Sequence, residues 1–261
     1  MPTWKLEVEY EGTRYRGWQM QHNAKSIQGE LMEVTRQFFA SKVDLFGAGW
    51  TDAGVHALRQ TVHLKVPELT INLTPRQIQS GFNELLPYDI NVVKVANAPD
   101  EFHARHDAVA EYYLYQISTR RTAFGKNLVW WIKDDLDAKA MAEAAKMLIG
   151  RHDFRSFGEP QEGKKLSPIV VVERAEVFTD GDLICFRIGA SHFLWKMVRR
   201  IVGMLVEVGR GTTYDAFERL IRFESNVPAQ YTAPPSGLFL EKVIYPGDKP
   251  PTQLRSVFTI G

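Results

Sequence analysis

Hydrophobic and polar residues alternate strictly from Thr3 to Tyr10: Trp4, Leu6, Val8 and Tyr10 face one way, Lys5, Glu7 and Glu9 the other. A period of two places successive side chains on opposite faces, so this stretch predicts a half-buried strand. From Ser26 to Ala40 the period changes. Ile27, Leu31, Val34, Thr35 and Phe38 recur at helical spacing, with Ser26 in the N-cap position. Alternation returns from Arg59 to Val66, and Thr74-Pro75 opens a second helix by cap and first-turn proline, ending near Leu86-Pro87.

The second half of the chain repeats this rhythm. Glu111 to Ser118 predicts a tyrosine-rich strand, and Asp137 to Ile149 an alanine-rich helix closed by Gly150. Ile169 to Phe178 and Leu183 to Gly189 predict a hairpin around the turn residues 179–182. Phe193 to Val208 gives the strongest helical stripe, with Leu194, Met197, Val198, Ile201, Val202 and Leu205 on one face. The order implies an α+β chain in two similar halves joined near Ala96 to Ala108, without a repeat at the residue level. The expected division is 1–104, 105–245, and an extended surface tail over 246–261 that holds Pro246, Pro250 and Pro251.

Composition narrows the class. In 261 residues, 44% apolar content is enough for a sizeable core. The stripe from Phe193 to Val208 is broken by Lys196, Arg199, Arg200 and Glu207, so no bilayer-spanning segment is expected. A lone Cys185 excludes an internal disulfide and a thiolate zinc cluster, and a cytoplasmic setting is the default expectation. Net charge is only +1, but basic residues cluster: Arg14 with Arg16, Arg120 with Arg121 and Lys126, Lys164 with Lys165, and Lys196 with Arg199 and Arg200. Local positive charge rather than the total is what a polyanion needs, although such clusters also serve as ordinary solvated faces.

The chemistry concentrates in Gly47-Ala-Gly-Trp-Thr-Asp-Ala-Gly-Val-His56. One carboxylate, Asp52, sits among Ala48, Gly49, Ala53 and Gly54, which let the backbone turn sharply and a bulky ligand approach. By itself the segment also fits an ordinary surface turn. His56 reads as a buried hydrogen-bonding residue. His56 and His63 flank a strand and His103 lies near His106, but no carboxylate or thiolate stands at ligand spacing beside them, so no metal site is predicted. Neither a Walker loop nor a dinucleotide fingerprint is present.

The ten-residue segment resembles the aspartate motif of the tRNA pseudouridine synthase A family, Ala-Gly-Arg-Thr-Asp-Ala-Gly-Val-His. The likeness continues in the family's order: Tyr10-Glu-Gly-Thr-Arg-Tyr-Arg-Gly-Trp-Gln19, Ser26-Ile-Gln-Gly-Glu30, Phe102-His-Ala-Arg105, Tyr113-Leu-Tyr115, Gly150-Arg-His-Asp-Phe-Arg-Ser-Phe157, residues 193–203, and Thr232-Ala-Pro-Pro-Ser-Gly-Leu238. Two positions depart. Trp50 stands where the family has Arg, and Glu111 where it usually has Lys or Arg.

The resemblance implies two ferredoxin-like halves whose strands form one mostly antiparallel sheet with a central cleft. It implies isomerisation of uridine to pseudouridine at positions 38–40 of the tRNA anticodon arm, by a homodimer. Substrate and product are isomers, so no cofactor is required. Asp52 is implied as the nucleophile, Arg199 as its ion-pair partner, and Tyr113 as a ring stacked on the base and within reach of a proton. Leu238 is implied to pack on the base. From the residues alone, Arg199 also fits a side chain snorkelling at a helix boundary.

A paired uridine must be extruded to react, and the family Arg helps hold that state. With Trp50 in its place, three outcomes are open: indole stacking substitutes, another cation such as Arg105 or Arg14 takes over, or activity is impaired. The last leads to the alternative, a non-catalytic tRNA-binding or folding protein on the same scaffold.

Overall fold

The computed structural model describes residues 1–39, 41–69, 71–160 and 166–259. The fold is α+β with mostly antiparallel strand pairing. Packing divides it into two units, Met1–Val109 with Phe239–Lys249, and Ala110–Leu238 with Pro250–Gly261. The break thus falls five residues beyond the expected 104/105, and the stretch 239–249 returns to the first unit.

In the first unit the order is β1 (Thr3–Tyr10), α1 (Ile27–Phe39), β2 (Asp44–Gly47), β3 (His56–Lys65), α2 (Pro75–Leu85) and β4 (Ile90–Asn97). β1 lies between β3 and β4, and β2 flanks β3, all antiparallel. This is the β-α-β-β-α-β pattern of a ferredoxin-like unit. The alternation of β1 is observed as read: Leu6 and Val8 are fully buried while Glu9 is exposed. α2 begins at a complete capping box, in which the Thr74 hydroxyl accepts the Gln77 amide and the Gln77 side chain accepts the Thr74 amide.

The second unit contains β5 (Ala110–Ser118), β6 (Trp130–Trp131), α3 (Ala138–Lys146), β7 (Gly150–Asp153), β8 (Ile169–Asp180), β9 (Leu183–Ala190), α4 (Met197–Gly209), α5 (Tyr214–Arg222) and α6 (Val227–Gln230). Its strands run in the order β5-β9-β8-β7, antiparallel, with β6 parallel beside β5. The predicted hairpin is β8–β9, turning at Gly181, whose φ of 58° suits glycine. β10 (Leu238–Ile244) then crosses back to the first unit, where Phe239 and Leu240 pair parallel with His56 and Ala57 of β3.

Several expectations are corrected. The helix predicted from Phe193 starts only at Met197. Residues 193–196 stay out of it because the Trp195 carbonyl accepts the Glu159 amide at 3.0 Å and Lys196 adopts a left-handed φ of 62°. The alanine-rich helix stops at Lys146, and Gly150 opens a strand instead of capping a helix. His56 and His63, expected to flank a strand, both belong to β3, His56 as its first residue and His63 inside it. The tail is not corrected but extended: its described residues carry no helix or strand and are mostly exposed, and it is also anchored. Ser256 and Val257 bind Asp180 and Gln116, Gln253 accepts from Arg187, and Val257 and Phe258 pack on Leu114, Val129, Leu183 and Cys185. The Lys164–Lys165 pair lies outside the described residues.

Candidate active site

Asp52 lies in the loop joining β2 to β3, and the first unit builds a cradle around that loop. The Ala48 amide donates to the Thr61 carbonyl at 2.8 Å, and the buried Gln60 side chain donates to the Gly49 carbonyl at 2.9 Å. The Trp18 amide donates to the Thr51 carbonyl at 3.0 Å, and the Tyr10 hydroxyl bonds the Thr51 hydroxyl at 2.8 Å. A turn closes from the Val55 amide to the Asp52 carbonyl at 3.1 Å. His56 behaves as read: it is buried, and its Nδ1 accepts the Gly12 amide at 2.9 Å.

These contacts give the segment Tyr10–Gln19 a physical role that spacing alone did not reveal: it is the wall on which the acidic loop is cast. Two glycines are required there. A Cβ on Gly12 would stand 2.0 Å from the Val55 carbonyl oxygen, and Gly17, at φ 93°, would meet the Thr51 carbonyl oxygen at 2.6 Å. Held at Ala48, Gly49, Thr51, Gly54 and Val55, the loop keeps Asp52 in one partly buried position.

Two residues before Asp52, the partly exposed Trp50 ring lies 5.2 Å from the Arg105 guanidinium carbon, a cation–π pair. Arg105 sits on a compact turn. The His103 amide donates to Asp107 at 2.9 Å, and the Asp107 amide donates back to the His103 carbonyl at 3.1 Å. Ala104, fully buried, donates its amide to His63 Nδ1 at 3.1 Å and accepts the Tyr245 hydroxyl at 2.5 Å.

His63 is therefore required neutral at Nδ1. Its Nε2 lies 3.4 Å from Asp44, too long for a good hydrogen bond but close enough to attract. Burial pushes the His63 pKa below its ordinary value despite that carboxylate, and His103 is lowered the same way.

Arg14 is placed differently. It is exposed and held by Asp89, which also accepts the Tyr15 hydroxyl at 2.6 Å. Burial pushes the Asp89 carboxyl up, but the tyrosine and guanidinium hydrogen bonds outweigh it, so its pKa is lowered. Arg120 is likewise partnered by Asp182, and Lys196 and Arg200 by Glu159.

In the second unit Tyr113 lies on β5, Arg199 on α4 and Leu238 at the end of the turn 232–238. Tyr113 is buried on β5, with its ring edge-on to Phe193 at 5.0 Å between centroids. Tyr115, two residues on, points to the same face and is fully buried, and its hydroxyl donates to the Pro234 carbonyl at 2.8 Å. Burial raises its pKa well above the ordinary value, the Arg199 charge opposing. Arg199, partly buried on α4, donates Nε–H to the Ala233 carbonyl at 2.7 Å. Leu238 is buried where that turn becomes β10. A Cβ on Gly237 would fall 2.6 Å from the Tyr115 ring, so the turn lies directly against this tyrosine.

Among the described residues no group of three or more His, Cys, Asp or Glu is arranged to hold a metal ion, and no helix is long and apolar enough to cross a membrane.

Comparison with known proteins follows the same residues. A family model described as tRNA pseudouridine synthase matches residues 7–107 and 144–246. A protein named tRNA pseudouridine synthase A from Rhodopseudomonas palustris (strain BisA53) is 41% identical over 249 residues, covering 94% of this chain and all of that protein. Proteins of the same name from Mesorhizobium japonicum and Brucella ovis are each 38% identical, again over 94% of this chain and 98–100% of their own length.

Proposed function

The chain belongs to the tRNA pseudouridine synthase family, and from that membership we propose that it isomerises uridine to pseudouridine in the anticodon stem-loop of tRNA, at positions 38–40. The observation that carries this reading is the cradled Asp52 loop, inside a chain alike to named synthases along nearly all of its length. The relatives compared are all named as synthases, so the non-catalytic alternative gains nothing from them.

The reaction breaks the bond between ribose C1′ and uracil N1, turns the base, and forms a bond from C1′ to C5. The C5 proton leaves and N1 gains one, so atoms balance without a further reactant. Asp52 serves as the carboxylate nucleophile that divides the exchange into two easier steps. Arg199 is the cation that favours its charged form in a pocket drained of water. Tyr113 supplies a ring against the uracil face, and its hydroxyl a route for the C5 proton. Leu238 lines the base site, while His56 and the cradle fix the acid. Arg14, Trp50 and Arg105 meet the RNA, which is read through its shape and backbone charge. The protein acts as a homodimer in the cytoplasm.

The test is release of tritium from C5-labelled uridine in unmodified tRNA. Wild type should release it and Asp52→Asn should not, with tRNA binding unchanged. Equal release by both proteins would remove Asp52 from the chemistry.

A further inference from the structure

We propose that Trp50 and Arg105 form one composite element that holds the RNA open while the target uridine is out of its stack. The inference rests on the isomerase reading and adds a task to two residues of the same unit.

Three observations carry it. The first is position: Trp50 is two residues from Asp52 on a loop held on either side of it, at Gly49 by Gln60 and at Thr51 by Trp18 and Tyr10, so its ring is tied to the acid's location. The second is charge. Arg14, Arg120, Lys196 and Arg200 are each paired with a carboxylate, whereas among the described residues no carboxylate pairs with Arg105. Its contact is instead the Trp50 ring, which leaves a full positive charge for a polyanion. The third is rigidity. The residue just before Arg105, Ala104, is pinned through both its amide and its carbonyl, by His63 of β3 and by Tyr245 just beyond β10. A surface arginine kept only for solubility needs no such mount.

The chemistry of the pair suits an unstacked nucleotide. A uridine drawn from an RNA helix leaves a gap between two bases and bends the phosphate backbone there. An indole offers a flat apolar face to an exposed base, and a guanidinium offers both a plane for stacking and donors for phosphate. Preassembly of the two removes part of the ordering cost on binding. The pair therefore acts on access to the uridine rather than on bond exchange.

The experiment compares two anticodon stem-loop RNAs under single turnover, one with the target uridine paired and one with it opposite an abasic site. For Arg105→Ala we expect conversion of the paired uridine to slow by about tenfold or more, with most of that loss recovered on the unpaired one. Arg105→Lys should recover little on the paired RNA, because a point charge does not stack. Asp52→Asn should be inactive on both. Equal slowing of Arg105→Ala on both RNAs, or no slowing on either, overturns the proposal. Wild type inactive on both would instead sink the isomerase reading itself. Melting temperatures of each variant identify a folding defect, and Trp50→Phe, which keeps a ring at the loop, repeats the comparison if Arg105→Ala does not fold.

Discussion

Arg199 and Ala233 hold each other reciprocally: the Ala233 amide donates to the Arg199 carbonyl at 3.1 Å, and the Arg199 Nε–H donates to the Ala233 carbonyl at 2.7 Å. One edge of the guanidinium is thereby fixed, so its orientation is set by the turn 232–238 as much as by α4. Lysine retains the charge but has no Nε to be held. Arg199→Lys is expected to lower kcat by on the order of 100-fold while leaving tRNA Kd nearly unchanged. Steady-state kinetics with a binding isotherm check this, and a parallel loss of binding would contradict it.

Gly203 lies in α4 with its Cα facing the Tyr231 carbonyl, where an added Cβ would come within 1.5 Å of the oxygen. Backbone cannot yield as a side-chain tip does. Gly203→Ala should therefore push α4 and residue 231 apart and destabilise the protein by about 2 kcal/mol or more, despite the better helix propensity of alanine. Calorimetry should register a fall in Tm of at least about 4 °C; an unchanged Tm would refute the packing argument.

The His63 pin makes a pH dependence. Folding lowers its pKa from the ordinary 6.5, chiefly by burial. As pH falls through about 6.5, the unfolded chain takes up the proton first, so stability drops and continues to drop until the folded ring protonates too. Burial of His103, with the His106 ring 4.1 Å away and opposing its charge, adds in the same direction. Tm should be flat above about pH 7 and decline towards about pH 5. In His63→Gln, whose amide oxygen can still accept the Ala104 N–H, that decline should be shallower. An equally steep profile would remove His63 as its source.

Arg14 offers a contrast with Arg105. Its side chain is 71% exposed yet tethered to Asp89, so its charge is already partly answered. Arg14→Ala is expected to weaken tRNA binding alike for paired and unpaired targets, and to reduce the slope of log Kd against log salt by about one. Binding titrations across a salt series measure both quantities. A defect confined to the paired RNA would assign Arg14 the opening role instead.

Elements with a strong period were legible in the sequence. β1, α2 with its capping box, β5 and the β8–β9 hairpin fall within a residue or two of their expected bounds. β2 and β7, four residues each, and β6, two residues, are too short to carry a period, and their pairing is decided by β3, β8 and β5. Residues 193–196 carry a helical pattern that loses to a long-range bridge with Glu159, which spacing cannot display. At the site, the residues of the motifs were readable as types, whereas the service that Tyr10–Gln19 performs for the Asp52 loop was not. Trp50 signalled that a cation was missing from its expected place, and Arg105, one of the two named candidates, lies on its ring.

β10 is synthesised after residues 110–237 of the second unit, yet it borders His56 and Ala57 in the first. A nascent chain that has emerged only through Val109 lacks that strand and the Tyr245 hydroxyl that holds Ala104. At translation speeds of about 5–20 residues per second, β3 waits on the order of ten seconds for its last neighbour. The second unit in turn waits for residues 250–259 to reach Asp180, Gln116 and Arg187. Each unit is therefore completed only by residues made after most of the other, and until β10 arrives β3 gives a nascent-chain chaperone a defined edge to guard.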